Sequence, residues 1–152
     1  MLKRRDFAAV GMSAAALAAM QASGFAADKD HKHAHGHDGP HMDCAKACSA
    51  CQRECDACAS HCAEHLAKGH KEHLATLQTC RDCADFCSAA AEIVARGGPF
   101  AALICEACAE ACKRCGKACD KFDDDDMMKA CAKECRQCEK ACREMLKHVD
   151  HS

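Results

Sequence analysis

Eighteen cysteines in 152 residues are the chemistry this sequence offers first. Between Cys44 and Cys142 they fall in four groups. These are Cys44, Cys48, Cys51, Cys55, Cys58 and Cys62; Cys80, Cys83 and Cys87; Cys105, Cys108, Cys112, Cys115 and Cys119; and Cys131, Cys135, Cys138 and Cys142. Within every group the steps alternate between three and four residues, over 14 successive intervals. A 3/4 alternation is the a/d pattern of a helix that turns one stripe toward its partners. Each thiol is therefore expected on the inward seam of a helix.

Thiols at this density suit a disulfide scaffold, a zinc protein or a cuprous thiolate core, and spacing separates the three. On one helix, Cβ atoms three or four residues apart lie about 5–6 Å from each other, whereas a relaxed disulfide wants about 3.5–4.5 Å. Same-helix disulfides would be strained; bridges between helices stay possible, but a disulfide framework has no need of a thiol at every core position. Zinc takes four thiolates in a tetrahedron, so the thiols would hold about four ions, each leaving a net charge of about −2 in the core. Cuprous copper is soft, takes two or three thiolates and allows one sulfur to bridge two ions, so roughly one ion per thiolate leaves the core nearly neutral. Adjacent Cys-x-x-x-Cys pairs such as Cys44/Cys48 and Cys83/Cys87, and Cys-x-x-Cys pairs such as Cys80/Cys83, supply sulfurs in the right order for it. Charge balance favours Cu(I). Zinc or cadmium sequestration is the alternative, followed by a thiol redox protein, for which a single exposed low-pKa pair would be expected. No Cys-x-x-Cys-His for covalent haem and no Cys-x-x-Cys-x-x-Cys run for an iron–sulfur cluster occurs.

The elements that must position these thiols follow from the residues between them. Ala, Lys, Glu, Arg, Gln and Asp fill those positions, mostly strong helix formers or charges for a solvent face. Gly69, then Gly97-Gly98-Pro99, then Asp123 to Asp126 punctuate the pattern, the acids as caps at a helix N-terminus. A calcium loop would need ligands at alternating positions, which four consecutive acids do not provide. Helices are expected over about 42–68, 70–96, 99–121 and 124–149. Short connections make neighbours antiparallel, giving an all-α, up-down-up-down four-helix bundle with a cysteine-lined core. Large apolar residues are too scarce after residue 40 to fill that core otherwise; Trp and Tyr are absent. The net charge of −2 provides no basic surface for nucleic acid. No Ser/His/Asp set, phosphate-binding glycine loop or paired-carboxylate site stands out, so no catalysis is expected.

Ahead of the bundle, Lys3, Arg4 and Arg5 precede an uncharged, Ala-rich run from Ala8 to Met20, with small residues at Gly24-Phe25-Ala26. This is a signal-peptide layout, too short for a membrane span, with cleavage expected after Ala26. Arg4-Arg5 with Phe7 resembles a twin-arginine signal, a pathway that exports folded proteins; an ordinary secretory signal would export it too. Residues 27–41 form a polar tract carrying His31, His33, His35, His37 and His41, expected without packed structure and readable either as a collector of cupric, nickel or zinc ions or as a solvated linker.

Extending each cysteine register past its last thiol reaches His65, His73, Phe122 and Met128 at one end of the bundle, with His61, His70 and Met127 nearby, and His41, Val94, Ala101 and Met145 at the other. Imidazole and thioether both ligate cuprous ions, which makes His65, His73 and Met128 candidates for the place where copper enters. The plainer reading is a methionine filling a gap and histidines wet at helix ends.

Residues 42–149 resemble the copper storage proteins, bacterial four-helix bundles lined by Cys-x-x-x-Cys and Cys-x-x-Cys pairs, and the N-terminus resembles their exported branch. The cysteine count is similar to that of the richer, cytosolic members. The resemblance implies storage of many Cu(I) ions per chain, a homotetramer, and a role in supplying copper enzymes or in detoxification.

Overall fold

Helix α1 spans Pro40–Ala67, α2 Leu74–Ala95, α3 Ala101–Cys119 and α4 Asp126–Met145, and a single 3₁₀ turn, Lys71–His73, leads into α2. The computed structural model describes residues 39–149. Among them there is no strand, and no helix is long and apolar enough to cross a membrane. The expected signal segment and all of the histidine tract up to His37 lie outside the described residues.

The helix ends follow from the punctuation. Pro40 opens α1 at a position where its missing N–H costs nothing, so His41 belongs to the helix and the bundle begins two residues earlier than the spacing suggests. Gly69 at φ +95° turns the chain out of α1, and the His70 N–H bonds back to the His65 carbonyl at 3.0 Å. Gly97 at φ +61° does the same after α2, with the Gly98 N–H on the Ile93 carbonyl at 2.9 Å. The expected helix from residue 70 is split because His70, at φ −78° and ψ 78°, is not helical and the next three residues wind more tightly. Asp125, within the acidic run, caps α4 by accepting from the N–H groups of Met127 and Met128 at 2.9 and 3.1 Å.

Each helix packs against its two neighbours in a ring, α1 on α2, α2 on α3, α3 on α4 and α4 back on α1. Cys44 near the start of α1 touches Cys142 near the end of α4, while Cys58 near the end of α1 touches Cys80 at the start of α2, as antiparallel neighbours require. Diagonal helices make no backbone approach, yet their thiols meet on the axis: Cys51 of α1 reaches Cys112 of α3 at 3.8 Å, and Cys87 of α2 reaches Cys138 of α4 at 3.9 Å. The interior is thus one thiol-lined column, walled between seams by Ala45, Ala59, Ala84, Ala109 and Ala132. Among the described residues, the only larger hydrophobic side chains that are fully buried are Val94, Met128 and Met145.

Candidate metal centre

All 18 cysteines are free thiols, and none is more than 1% exposed. The seam reading holds at every position, because the 3/4 step keeps each Cβ on the face turned to the axis. Contacts between helices are the shortest: 3.6 Å for Cys48–Cys142, Cys58–Cys80, Cys80–Cys115 and Cys87–Cys112. Within one helix, Cys51–Cys55 and Cys108–Cys112 stand at 3.9 and 4.0 Å. The pairs singled out by sequence therefore belong to larger groups completed from the facing helices.

Four-thiol groups with all sulfurs within 4.8 Å of one another include Cys48/Cys108/Cys138/Cys142, Cys51/Cys83/Cys87/Cys112, Cys51/Cys55/Cys83/Cys135, Cys55/Cys115/Cys131/Cys135 and Cys58/Cys80/Cys119/Cys131. They share members: Cys51, Cys55, Cys83, Cys131 and Cys135 each belong to two. Metal–sulfur bonds of about 2.3 Å put two sulfurs on one ion about 3.8 Å apart at a tetrahedral centre and about 4.0 Å apart at a trigonal one, so the thiols stand at ligating distance with little movement. Sharing then decides how the ions are held. Neighbouring groups cannot each keep four thiolates of their own, so ions filling the column must be joined by bridging sulfurs, which soft cuprous ions accept.

The thiols titrate as a set. Cys51 and Cys83 are held low, first by their contacts with Cys112, and Cys131 by its contact with Cys115, while Cys138 is raised mainly against Cys108 and Cys58 against Cys119. Cys62, at the network's end beside Cys58, is pushed up to about 11, first by burial. Most of the core is protonated at neutral pH, and an arriving cation displaces those protons.

The end of the column beyond Cys58 is built as the register extension expects. The Sδ of Met128 lies 3.4 Å from Cys58 Sγ, and Met128 is fully buried. The rings of His65 and His73 stand 4.4 Å apart, and His73 stacks on Phe122 at 4.3 Å. His61 and His70 lie 4.5 and 5.4 Å from His65. His73 is only 4% exposed; burial, then the neighbouring His65, hold its pKa below the usual imidazole value, and its Nδ1 has no hydrogen-bond partner. One residue here escaped the sequence reading. Asp125 was legible as a cap, but its Oδ2 also receives a 2.7 Å hydrogen bond from His61 Nε2, which only the antiparallel placement of α1 beside α4 brings about. At the opposite end Val94, Ala101 and Met145 are each buried, while His41 and His148 line a surface cavity beside Ala101, and Cys44 and Met145 line another.

The sequence profile of the family Csp, copper storage protein, matches residues 37–147. The chain belongs to the copper storage protein family. Among solved structures it is similar to the copper storage protein Ccsp from Streptomyces lividans loaded with 10 copper equivalents, at 30% identity and a TM-score of 0.66, covering 72% of this chain and 86% of that one. The Cu(I)-bound copper storage protein BsCsp3 matches at 34% identity and a TM-score of 0.65, over 71% of this chain and 99% of that one. Apo copper storage protein 3 from Bacillus subtilis matches at 36% identity and a TM-score of 0.60, over 68% and 96%. No curated protein matches the sequence. The matched region coincides with the thiol-lined bundle.

Proposed function

We propose that this protein binds and stores many Cu(I) ions in its thiol column, as a reservoir without catalytic turnover. The observation that carries the reading is the overlap of the four-thiol groups, which favours bridged, nearly neutral copper–thiolate clusters over isolated tetrahedral zinc or cadmium sites. Membership of the copper storage family supports it. Anaerobic titration of the reduced protein with Cu(I) and, separately, Zn(II) tests it. Uptake of copper approaching one ion per thiol is the expected result; saturation by a few zinc ions with weak copper uptake would overturn it.

Copper enters at the His65/His73/Met128 end. Imidazoles cluster there, with the Met128 thioether against Cys58, whereas at the far end Val94 and Ala101 take register positions beyond the last thiols of their helices. Replacing His65, His73 and Met128 together slows loading and leaves the final capacity intact; an unchanged loading rate removes the idea.

The signal-like segment, with Arg4-Arg5 and cleavage near Ala26, supports export by the twin-arginine route to the periplasm, where stored copper supplies copper enzymes or is kept from doing harm. Recovery of a mature chain beginning near Ala27 from a periplasmic fraction is the test. A homotetramer is supported by the apolar residues left outside the bundle, among them Phe86 on α2 and Leu103 on α3, 41% and 65% exposed. Phe86→Glu with Leu103→Glu should reduce the mass in solution to that of one chain.

A further inference from the structure

The thiol column is built for soft ions, but the imidazoles above it are not confined to them. We infer that His61, His65 and His73, with Asp125 behind them, form a separate site for a divalent first-row cation of the cobalt or nickel class.

Ring spacing is the first argument. An ion about 2.0–2.1 Å from an imidazole nitrogen stands about 3.2 Å from the ring centroid, so two rings sharing it have centroids about 4.5 Å apart at right angles and about 6.4 Å apart when opposed, the angles of an octahedral or tetragonal centre. The separations are 4.5 Å for His61–His65, 4.4 Å for His65–His73 and 6.4 Å for His61–His73, with His65 in the middle. Free ligand atoms are the second argument. Asp125 Oδ1 accepts from the Met127 and Met128 N–H groups and Oδ2 lies 2.7 Å from His61 Nε2, an arrangement in which Nε2 donates to the carboxylate and Nδ1 is left as the ligating nitrogen. That is the carboxylate–histidine–metal arrangement, in which the outer carboxylate fixes tautomer and orientation. His73 adds a buried Nδ1 that makes no hydrogen bond, a polar atom of the kind native structures rarely leave unexplained. Cation chemistry is the third. Neutral imidazoles backed by a carboxylate suit borderline divalent ions, whereas the thiolates below select cuprous ones, so one protein sorts two classes of metal by depth. His70 stays outside, its Nδ1 turned 3.3 Å from Glu72.

An ion at this site stands across the way to Cys58, and filling it should hinder copper loading. That consequence rests on the reading of this end as copper's way in; the cation site does not.

The test is anaerobic titration of the fully Cu(I)-loaded protein with Co(II), followed by visible absorption. It is run on the full chain and on a chain carrying His31→Ala, His33→Ala, His35→Ala and His37→Ala, which removes the tract's own imidazoles. One equivalent of Co(II) with nitrogen/oxygen ligand-field bands should bind in both. His65→Gln with His73→Gln should abolish it, and Asp125→Asn should weaken it about 10- to 100-fold, with helical circular dichroism confirming that each variant is folded. Intense sulfur-to-cobalt charge transfer, binding that vanishes with the tract histidines, or binding indifferent to His65 and His73 would each overturn the site. In a second arm, Co(II) is added before copper to the metal-free protein at one equivalent. Loading slowed by the added cation in the full chain but not in the His65→Gln, His73→Gln chain supports the gate, whereas a cobalt site without any effect on loading would overturn the copper-access reading and leave the cation site standing.

Discussion

His61 Nε2 lies 2.7 Å from Asp125 Oδ2, while Oδ1 of the same carboxylate accepts from the N–H groups of Met127 and Met128. One side chain therefore ties the end of α1 to the start of α4 and fixes the turn that sets Met128 against Cys58.

Separating these roles takes two substitutions. Asp125→Ala loses the cap and the His61 partner and should cost about 1–2 kcal/mol in a denaturant titration of the metal-free protein. Asp125→Asn, a good cap in its own right, should cost clearly less. The hydrogen bonds that hold Asp125 below the usual carboxylate range outweigh its burial. Its contribution to stability is thus present above the ordinary carboxylate pKa and lost as pH falls through the depressed folded value.

His73 stores a buried, unpartnered nitrogen, which makes it a stability cost retained for another purpose. His73→Phe keeps the stack on Phe122 and should raise the stability of the metal-free protein by about 1 kcal/mol while slowing copper uptake. The pH dependence has a definite sign. With its folded pKa lowered, His73 leaves the unfolded chain to bind the proton first, so stability is complete above the ordinary imidazole pKa and declines as pH drops toward the lower folded value. Thermal melts at several pH values should show that decline shrink in the His73→Phe chain.

Position in the column sets how much each thiol matters. Cys55 lies within 4.0 Å of Cys51, Cys115, Cys131 and Cys135, whereas Cys44 meets Cys105 and Cys142 at one end. Cys55→Ala should lower copper capacity by about one ion more than Cys44→Ala does, because a bridging sulfur serves more than one ion. Counting copper by elemental analysis after gel filtration checks this.

Loading should acidify the solution. Thiols such as Cys62, raised to about 11 chiefly by burial, are protonated at neutral pH, so each newly bound thiolate releases about one proton. Calorimetry in two buffers of different ionisation enthalpy should find close to one proton per copper early in loading, and apparent affinity should fall as pH is lowered.

Gly116 sits where α3 meets α4, and an added Cβ would stand 3.5 Å from Cys135 Cβ and 3.6 Å from the Ala132 carbonyl, ordinary contact distances. Gly116→Ala should stabilise the helix by up to about 1 kcal/mol. Gly116→Leu should cost about 1–3 kcal/mol by overpacking and lower copper capacity by spreading the thiols of α3 and α4, both measurable on the same preparations.

The bundle was legible because one periodic residue type carried both the fold and the chemistry: a strict 3/4 step leaves no other secondary structure for Cys44 to Cys62 or Cys105 to Cys119. The far ends of the register were legible for the same reason, and His65, His73, Phe122 and Met128 do converge. What spacing on one helix could not convey is how thiols group across helices. Cys51 with Cys83, or Cys58 with Cys119, depends on the rotation and stagger of separate elements, and Asp125 with His61 depends on the angle at which the chain enters α4. The tight turn at Lys71–His73 was hidden because three residues of 3₁₀ helix have no period of their own.

The 3.6 Å contacts between sulfurs of different helices, Cys48 with Cys142 and Cys58 with Cys80, also make the empty bundle an integrator of oxidant dose. Any two-electron oxidant that reaches the interior can take both protons and both electrons from such a pair and weld two helices together. Each weld withdraws two ligands at once. Copper, once bound, occupies those same electron pairs, so the cargo is also what keeps its container from locking shut.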